Sequence, residues 1–519
     1  MKKFKIYIIQ AFILLTFIPG CTDFVDLEPR DQLSIDIYLT SLENLEGSIL
    51  SVYDRGRAPY TSLNYSLYKC FYTDLIVAGS HIMDQATWNQ MCTFRGFDAT
   101  NTGIKEIWEA YYAGLFRANT IIEKIDLVDY NKENPLAVQR RNTVLGEALY
   151  FRAYFHLNLV EYWDNIILAD QVFGDPSREY VLAPKSAVYD LILADLEAAI
   201  DLLPPASDLE SRGRVSKGTA NHLLSLAHMD LGNWTEAAAA AEAVIADPSY
   251  SFVALEQVFD ELDQNNSEII FSWQFIPGAT DAEGKNWTAC QLNPLYDRCN
   301  GVARTFEQGG RPWSRNVPGQ YYWTLFEDDD LRLEAWHKRY WIYDTDIPED
   351  PLPAGVAIGD TVTAENIDET TGGLGILAIV PTTTKYWEYD GLGRTIDDAA
   401  AYENVIQFRY SEAYLIAAEA YLQSGTNLAR GQELLDELRT RAGQDPIELT
   451  LDNLIDEQAR ELGFEGRRYP MLKRLGILYD RIQAYNPELA ETMMPFHIRW
   501  PIPKTSVDLM DVPQNEGYE

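Results

Sequence analysis

Apolar residues recur every three or four positions over most of the chain, in two separate blocks. In the first block this spacing predicts helices over residues 104–125, 138–163, 187–203, 216–231 and 234–246. In the second block it predicts helices over residues 408–424, 428–442, 451–462 and 469–485. Gly232 and Gly425 follow two of these helices, where glycine commonly ends a helix. The pattern therefore predicts a mostly α-helical fold.

Successive predicted helices form pairs joined by short turns. Small side chains at packing positions of the second block let helices approach closely: Ala413, Ala417, Ala418 and Ala420. Such helix–turn–helix units resemble tetratricopeptide repeats, although the strict repeat consensus is absent. We expect one domain over residues 41–519, built on a tetratricopeptide-like helical-pair scaffold over residues 41–262 and 404–519.

The residues between the two blocks, 263–403, have a different pattern. They hold 7 of the 12 tryptophans, and clusters of turn residues separate strand-like pieces near 268–275 and 376–380. This pattern predicts a large, irregular, loop-rich and aromatic-rich insertion carried on the helices. Because function concentrates in loops that a rigid scaffold positions, the insertion is where we expect ligand contacts.

Composition removes several classes of protein. Hydrophobic residues make up 46% and charged residues 23% of the 519 residues, which is typical of a globular protein and not of a disordered or polytopic membrane protein. The formal net charge is −37. A surface this acidic repels phosphate backbones, so nucleic acid is excluded as a general partner.

The N-terminus has the features of an export signal. Lys2, Lys3 and Lys5 precede an apolar stretch over residues 6–18, which is too short for a spanning helix but long enough for a signal peptide. The stretch ends at Pro19-Gly20-Cys21, which resembles a bacterial lipobox. We expect a signal peptide over residues 1–20, lipidation at Cys21 and a tether over residues 21–40. The alternative is an ordinary signal peptide followed by a chance cysteine.

Cysteines and histidines give little indication of chemistry. Two disulfides, Cys70–Cys92 and Cys290–Cys299, are as compatible with the sequence as four buried free thiols. His222 and His228 are six positions apart on a predicted helix and so lie on different faces. The sequence contains no Gly-Lys-Ser/Thr phosphate loop and no Gly-x-Ser-x-Gly elbow. We therefore predict no catalytic residue, no cofactor and no metal site, and hence a protein that is not an enzyme.

Several segments together resemble the SusD/RagB family of Bacteroidetes outer-membrane nutrient-binding lipoproteins. The resemblance covers nearly all of the chain. The segments that carry it are CTDFVDLEP, IWEAYYAGLFRANTIIEKI, GEALYFRAYFHLNLVEYW, RVSKGTANHLLSLAHMDLGNWTEAAAAAEAVI, RYSEAYLIAAEAYLQSG, ELGFEGRR and the terminal PQNEGY. Among the charged residues of these and neighbouring segments, we expect the following to be buried ion-pair partners rather than ligand contacts: Arg439, Arg441, Glu465 and Arg468.

This resemblance implies a function. It implies a surface-exposed lipoprotein, anchored in the outer membrane through its N-terminal lipid, that binds oligosaccharide. Such a protein would deliver its ligand to a SusC-like TonB-dependent transporter. The alternatives are a peptide-binding RagB-like import lipoprotein, a surface glycosidase and an adaptor that binds only protein.

Aromatic side chains beside amides or arginine are the best candidates for sugar contacts, because indole and phenol rings stack on the flat faces of sugars. Trp88 and Asn89 lie in the polar segment DQATWNQ. The other candidates belong to the insertion and are flanked by turn residues, which favours exposure: Trp287, Tyr296, Arg311 and Trp313. Other tryptophans lie in helical or apolar contexts and are predicted core: Trp108, Trp163, Trp323, Trp336 and Trp341.

Overall fold

The computed structural model describes residues 39–62, 68–70, 73–79, 86–173, 179–278, 284–362 and 379–519. The predicted signal peptide, Cys21 and nearly all of the predicted tether lie outside the described residues. In the described ranges, every helix is either too short or too polar to cross a lipid bilayer.

The first block holds seven α-helices in the described ranges. They are α1 (Leu42–Thr61), α2 (Ala86–Thr93), α3 (Thr102–Lys124), α4 (Pro135–Trp163), α5 (Lys185–Leu202), α6 (Lys217–Leu231) and α7 (Trp234–Ile245). The region between the blocks holds three short ones, α8 (Thr288–Leu292), α9 (Gln320–Trp323) and α10 (Arg332–Ala335). The second block contributes α11 (Tyr410–Ser424), α12 (Leu428–Arg441), α13 (Leu451–Leu462), α14 (Arg468–Arg474), α15 (Leu478–Tyr485), α16 (Pro487–Ala490) and α17 (Lys504–Met510).

Successive long helices pack against each other. α3 packs on α4, α4 on α5, α5 on α6 and α6 on α7, and then α11 of the second block packs on α7 and α12 on α11. Local signals set the helix ends. The Ser216 side chain accepts a hydrogen bond from the Thr219 backbone in a capping box that begins α6, and Gly232, at φ 71°, ends that helix. The two sequence blocks therefore form one continuous helical scaffold.

The strands are short and pair in twos. β1 (Ile76–Ala78) pairs with β5 (Asn316–Pro318), β2 (Ile166–Ile167) with β3 (Leu182–Ala183), β4 (Ile269–Trp273) with β10 (Val405–Arg409), β6 (His337–Lys338) with β9 (Thr382–Thr383) and β7 (Trp341–Ile342) with β8 (Thr361–Val362). All five pairs are antiparallel. The register of β4 with β10 shifts on either side of Phe408. All of these pairs except β2–β3 join strands of the irregular region to each other or to the two helical blocks.

The helical prediction is confirmed for most elements, with two corrections. The predicted helix over 408–424 begins only at Tyr410, because Phe408 belongs to β10 and packs in the core. The predicted helix over 469–485 divides into α14 and α15, since Gly476 at φ 72° interrupts it. Strand β4 confirms the strand-like piece near 268–275, whereas most of the piece near 376–380 lies outside the described residues. The domain boundaries and the tetratricopeptide-like detail stay predictions.

A buried network of charges ties the irregular region to the second block. Arg409, on β10, contacts Glu268 at 2.8 Å, Glu461 at 3.0 Å and Glu465 at 2.6 Å. Burial raises the pKa of Glu461, but the surrounding cations, led by Arg409, outweigh burial and hold the pKa at about 2. The carboxylate is therefore ionised over the whole physiological range.

The four charged residues expected to be ion-pair partners are confirmed in that role. Glu465 binds Arg409 and also Lys385, at 2.7 Å. The three arginines pair with three different carboxylates. These pairs are Arg468 with Asp74 at 2.6 Å, Arg441 with Glu268 at 2.6 Å and Arg439 with Glu457 at 3.1 Å. Their role is to join elements that are distant in sequence.

All four cysteines in the described residues are free and buried. The question between disulfides and thiols that the sequence left open is therefore answered in favour of thiols. Burial raises the pKa of Cys70, Cys290 and Cys299 to about 12, and it also raises the pKa of Cys92.

Candidate ligand-binding platform

The segment that follows Arg311 is held tightly against α8. The backbone N–H of Trp313 donates to Cys290 O at 2.8 Å, and that of Ser314 donates to Asn293 O at 2.8 Å. The N–H of Arg315 donates to Gln291 O at 2.9 Å. The chain then enters β5, whose first residue pairs with Ala78 of β1. Successive backbone hydrogen bonds therefore fix the positions from which the side chains of this segment project.

Two tryptophans from the irregular region stack on each other. The ring centres of Trp287 and Trp313 lie 5.2 Å apart, and their planes differ by 19°. Both side chains are half-buried. Trp287 lies immediately before α8 and Trp313 lies on the segment clamped to α8, so the same short helix positions both rings. We call this pair the platform.

Arg315 supports the platform from below. Its guanidinium carbon lies 4.7 Å from the centre of the Trp313 ring and 5.0 Å from that of the Trp88 ring. Guanidinium groups at such distances are attracted to the faces of indole rings. The side chain is buried, and burial lowers the pKa of Arg315. Trp287, Trp313, Arg315 and Trp88 thus form a layered column.

Trp88 lies at the buried end of this column, which corrects the expectation that it lies in an exposed polar loop. The segment DQATWNQ enters helix α2 at Ala86, and the indole on that helix is fully buried. Its Nε1–H donates to Asn316 Oδ1 at 3.0 Å. Trp88 therefore anchors the column and presents no ring face to a ligand.

Asn89 is half-buried on the same helix. Its Oδ1 accepts a hydrogen bond from Thr93 Oγ1 at 2.9 Å, and its backbone carbonyl accepts one from the same hydroxyl at 2.7 Å. Both hydrogen bonds lie within α2. The Asn89 side chain therefore contacts its own helix, whereas the sequence suggested an amide that faces a ligand.

Tyr296 is also corrected, because its side chain is fully buried. Its hydroxyl donates to Gly310 O at 2.5 Å and also lies 3.2 Å from Thr305 O. The ring stacks on Trp341 at 6.0 Å. The turn residues that favoured exposure instead fold back over the ring and enclose it in a small secondary core.

Arg311 is exposed, as the sequence predicted, two residues before Trp313. Its Nη1–H donates to Asp397 O at 2.6 Å. Arg304 reaches the Asp397 carboxylate at 2.7 Å. Arg311 therefore lies at the surface beside the 397–398 turn, with its guanidinium partly engaged.

The structure thus brings three of the six predicted ligand residues into one column and separates the other three. Trp88, Trp287 and Trp313 belong to the column, whereas Asn89, Tyr296 and Arg311 make the contacts described above. Sequence reasoning missed Arg315. Its position gave no usable signal, because Ser314, between Trp313 and Arg315, has a φ of 45° and so breaks the two-residue alternation of an extended segment.

Of the five tryptophans predicted to be core, four are buried: Trp108, Trp163, Trp336 and Trp341. Trp323 is half-buried and packs edge-on against Tyr322 at 5.3 Å. The core prediction is therefore confirmed for four of these five tryptophans.

Comparison with known proteins points to one family. Residues 23–227 match a family model described as starch-binding and associating with the outer membrane, and residues 267–518 match the SusD family model. SusD-like protein P2 of Formosa agariphila is 26% identical over 502 residues, which cover 92% of this chain and 91% of that protein.

Two solved structures share the fold. A laminarin-binding SusD-like protein superposes with a TM-score of 0.73 at 23% identity, covering 92% of this chain and 100% of that one. Surface glycan-binding protein A from Bacteroides thetaiotaomicron, in complex with laminarihexaose, gives a TM-score of 0.71 at 21% identity over the same shares. With both family models matched in order along the sequence, the chain belongs to the SusD/RagB family.

Proposed function

We propose that this protein binds oligosaccharide at the cell surface and that the platform makes the central contact. The stacked pair of Trp287 and Trp313 carries this proposal, because two half-buried parallel indoles offer a flat apolar surface of the kind that sugar rings cover. The clamped backbone of residues 313–315 keeps this surface rigid, so little conformational freedom is lost on binding.

Within the platform the two rings have different tasks. Trp313 has Trp287 at 5.2 Å and the guanidinium of Arg315 at 4.7 Å, so neighbours occupy much of its surface. We infer that the half-buried Trp287 contacts the sugar ring and that Trp313 backs it. Exposed Arg311, two residues away from Trp313, supplies hydrogen-bond donors to hydroxyl groups at the edge.

Relatives of this chain support a glycan as the ligand. One structural neighbour is described as laminarin-binding, another was solved with laminarihexaose, and the family model over residues 23–227 is described as starch-binding. The Bacteroides thetaiotaomicron starch-binding protein SusD is 34% identical over 146 residues, which is 26% of this chain. These descriptions favour glycan over peptide as the first class to test.

The same family description favours a position at the outer membrane. In our proposal Cys21 carries the lipid that holds the protein there, and a SusC-like TonB-dependent transporter receives the glycan. Anchoring and delivery are tested separately from binding. Metabolic labelling with a fatty-acid analogue should mark the wild type and leave Cys21→Ser unlabelled. Co-purification from membranes should recover the transporter.

We propose binding without chemistry. A glycosidase needs two carboxylates facing a cleft. Among the described residues, the deeply buried Glu268, Glu457 and Glu461 each contact arginine at 3.1 Å or less, which commits them to the scaffold. The expected result is retention of intact oligosaccharide after prolonged incubation, checked by chromatography of the reducing ends.

Calorimetry against a panel of neutral and acidic oligosaccharides and a peptide digest tests the proposal. We expect at least one glycan to bind, and Trp287→Ala to weaken its binding by about fivefold or more, since loss of a stacked aromatic costs on the order of 1–3 kcal/mol. Trp234→Ala is the matched control, because it removes another half-buried indole from the start of α7. Heat from the peptide digest with none from any glycan would overturn the proposal.

A further inference from the structure

A second aromatic cleft is linked to the platform through Asn293. The Asn293 backbone carbonyl accepts the N–H of Ser314, while its side-chain Oδ1 accepts the indole N–H of Trp387 at 2.5 Å. Trp387 lines a cavity of about 170 Å³ together with Lys338, Arg339, Tyr340, Tyr389 and Glu307. The buried residue Asn293 therefore contacts the segment that carries Trp313 through its backbone and the wall of this cleft through its side chain.

Backbone pairing builds the cleft. Lys338 lies on β6 and pairs with Thr382 of β9, after which the chain turns and brings Trp387 and Tyr389 beside the lysine. Gly309 allows the close approach, since a Cβ there would lie 3.0 Å from the Trp387 ring at a φ of 123°. The Gly309 carbonyl accepts a hydrogen bond from Asn293 Nδ2 at 2.5 Å, which fixes this wall.

Lys338 is the notable residue of the cleft. Its side chain is half-buried, and its ammonium lies 5.9 Å from the Trp341 ring centre and 5.9 Å from that of Trp387. In the described part of the chain, the ammonium makes one hydrogen bond, a long one of 3.5 Å to Glu307 O. No carboxylate of the described residues lies within 4.0 Å of the Lys338 ammonium. The buried Lys385, by contrast, contacts Glu465. The ammonium therefore has donors available for a ligand.

Lys338 and Arg339 both line the cleft, and among the described residues only Arg339 has a carboxylate within 4.0 Å. The Asp344 and Glu307 carboxylates form no ion pair with Lys338, although their charges raise its pKa. Arg339 lies 3.5 Å from Glu334 in an exposed ion pair. His337 is neutral, because Nδ1–H donates to Arg332 O and Nε2 accepts from Tyr322, and burial lowers the pKa of His337 to about 3. Burial also lowers the pKa of Lys338, and an anionic ligand would reverse that effect.

The rim of the cleft suits a sugar. Tyr340 is 44% and Tyr389 49% exposed, so each offers ring surface and a hydroxyl group together. An ammonium flanked by aromatic rings combines a point charge for an anionic group with apolar surface for the sugar that bears it.

We propose that this cleft binds the carboxylate or sulfate group of an acidic sugar residue, so that the ligand class is an anionic oligosaccharide. This inference rests on the proposed function and narrows it. Lys338 would donate to the anionic group, while Tyr340 and Tyr389 would contact the ring.

Calorimetry with matched ligands tests the inference. The panel pairs oligogalacturonate with its methyl ester and a sulfated carrageenan oligosaccharide with its desulfated form, and it includes sodium sulfate and sodium acetate. We expect an acidic form to bind about tenfold more tightly than its neutral partner, since hydrogen bonds to charged groups are worth that much or more. The preference should shrink at high salt, because ions screen the attraction.

Three variants separate this subsite from the platform. Lys338→Met should lower the affinity for each acidic form to that of its neutral partner, whereas Lys338→Arg should retain the preference. Lys105→Met changes the net charge equally at a partly exposed position of α3 and should have no effect. Trp287→Ala should weaken both members of a pair.

Three results would overturn the inference: equal binding of acidic and neutral forms throughout the panel, a preference that survives in Lys338→Met, or sodium sulfate binding as tightly as the sugar. Binding of neutral glycans in the first case would leave the proposed function intact. Absence of all glycan binding would instead remove the proposed function together with this inference.

Discussion

The guanidinium carbon of Arg315 lies 4.7 Å from the centre of the Trp313 ring and belongs to a side chain that is buried beneath the platform. Because the same guanidinium lies 5.0 Å from Trp88, it joins a fully buried indole to a half-buried one. A cation between two rings fixes the depth and tilt of the outer ring. Arg315 is therefore a positioning residue for the platform rather than a ligand contact.

Replacing Arg315 tests that role. We expect Arg315→Met to weaken glycan binding about threefold to thirtyfold, because cation–π contacts are worth about 0.5–2 kcal/mol. Near-ultraviolet circular dichroism should lose the signal of the coupled Trp287 and Trp313 rings. Arg298→Met, which removes an exposed arginine nearby in sequence, should leave both readouts unchanged. An unchanged dichroism signal in Arg315→Met would contradict the positioning role.

The buried ion pairs predict a sharp difference between core and surface arginines. Arg409→Met leaves Glu268, Glu461 and Glu465 without one of their cations, so we expect the free energy of unfolding to fall by about 3–5 kcal/mol. Arg95→Met removes an exposed pair with Glu491 at 3.5 Å and should change stability by less than about 1 kcal/mol. Chemical denaturation of both variants measures the difference, and similar losses would contradict this account.

Helices were predictable from the sequence because their signals are local. The apolar spacing of α4 and the capping residues around α6 lie within the segments they shape. The platform was only partly predictable. Trp287 and Trp313 lie 26 positions apart in sequence, and their stacking depends on backbone bonds to α8 that leave no pattern in the sequence.

Burial of single aromatic residues was the weakest prediction. Turn residues flank both Trp313 and Tyr296, yet the first is half-buried and the second fully buried. The difference arises from the 305–310 turn, whose carbonyls lie within reach of the Tyr296 hydroxyl. Flanking composition reports that a turn is present and does not report which way the turn folds.

We expect the thiols of the four described cysteines to react slowly with thiol reagents in the native state. Their thiols are buried, and their pKa values are raised, so little thiolate exists at pH 8. Without Cys21, the native protein should react with Ellman's reagent at a negligible rate, and four thiols should react after unfolding in guanidinium. Fast native labelling, or fewer than four thiols in the unfolded chain without reductant, would contradict the assignment of free thiols.

Glu403 predicts a specific pH dependence of stability. Burial raises its pKa well above 4.5, and the nearby Glu388 and Glu261 raise it further. The Glu403 Oε2 atom is buried and has no hydrogen-bond partner in the described ranges. The folded state thus holds a proton that the unfolded chain releases near pH 4.5. Stability from this group is fully present below that pH and is lost as the pH rises toward the folded-state pKa.

Glu403→Gln should remove this loss, because the amide is neutral at every pH. We expect the difference in Tm, variant minus wild type, to increase as the pH rises from 5 to 9. Glu349→Gln, at an exposed carboxylate, should follow the wild type throughout. A constant difference between Glu403→Gln and the wild type across the range would show that Glu403 does not titrate in the manner described.

Substitution of Gly79 tests how strongly the platform depends on the backbone contact between Gly79 and residues 314–315. A Cβ at this position would lie 2.1 Å from Ser314 O, and the Gly79 N–H donates to Arg315 O at 2.8 Å. Gly79→Ala therefore forces apart the backbone that places Trp313 and Arg315. We expect stability to fall by about 1–3 kcal/mol, as overpacking typically does, and glycan affinity to fall with it.

Gly319→Ala is the matched control at the other end of the same strand pair. There the added Cβ would lie 3.2 Å from a Val77 methyl group, which can move more easily than a carbonyl. We expect a smaller loss of stability and unchanged glycan binding, measured by thermal denaturation and calorimetry on both variants. If Gly79→Ala and Gly319→Ala lost affinity equally, the platform would depend on the whole β1–β5 pair rather than on the contact between Gly79 and Ser314.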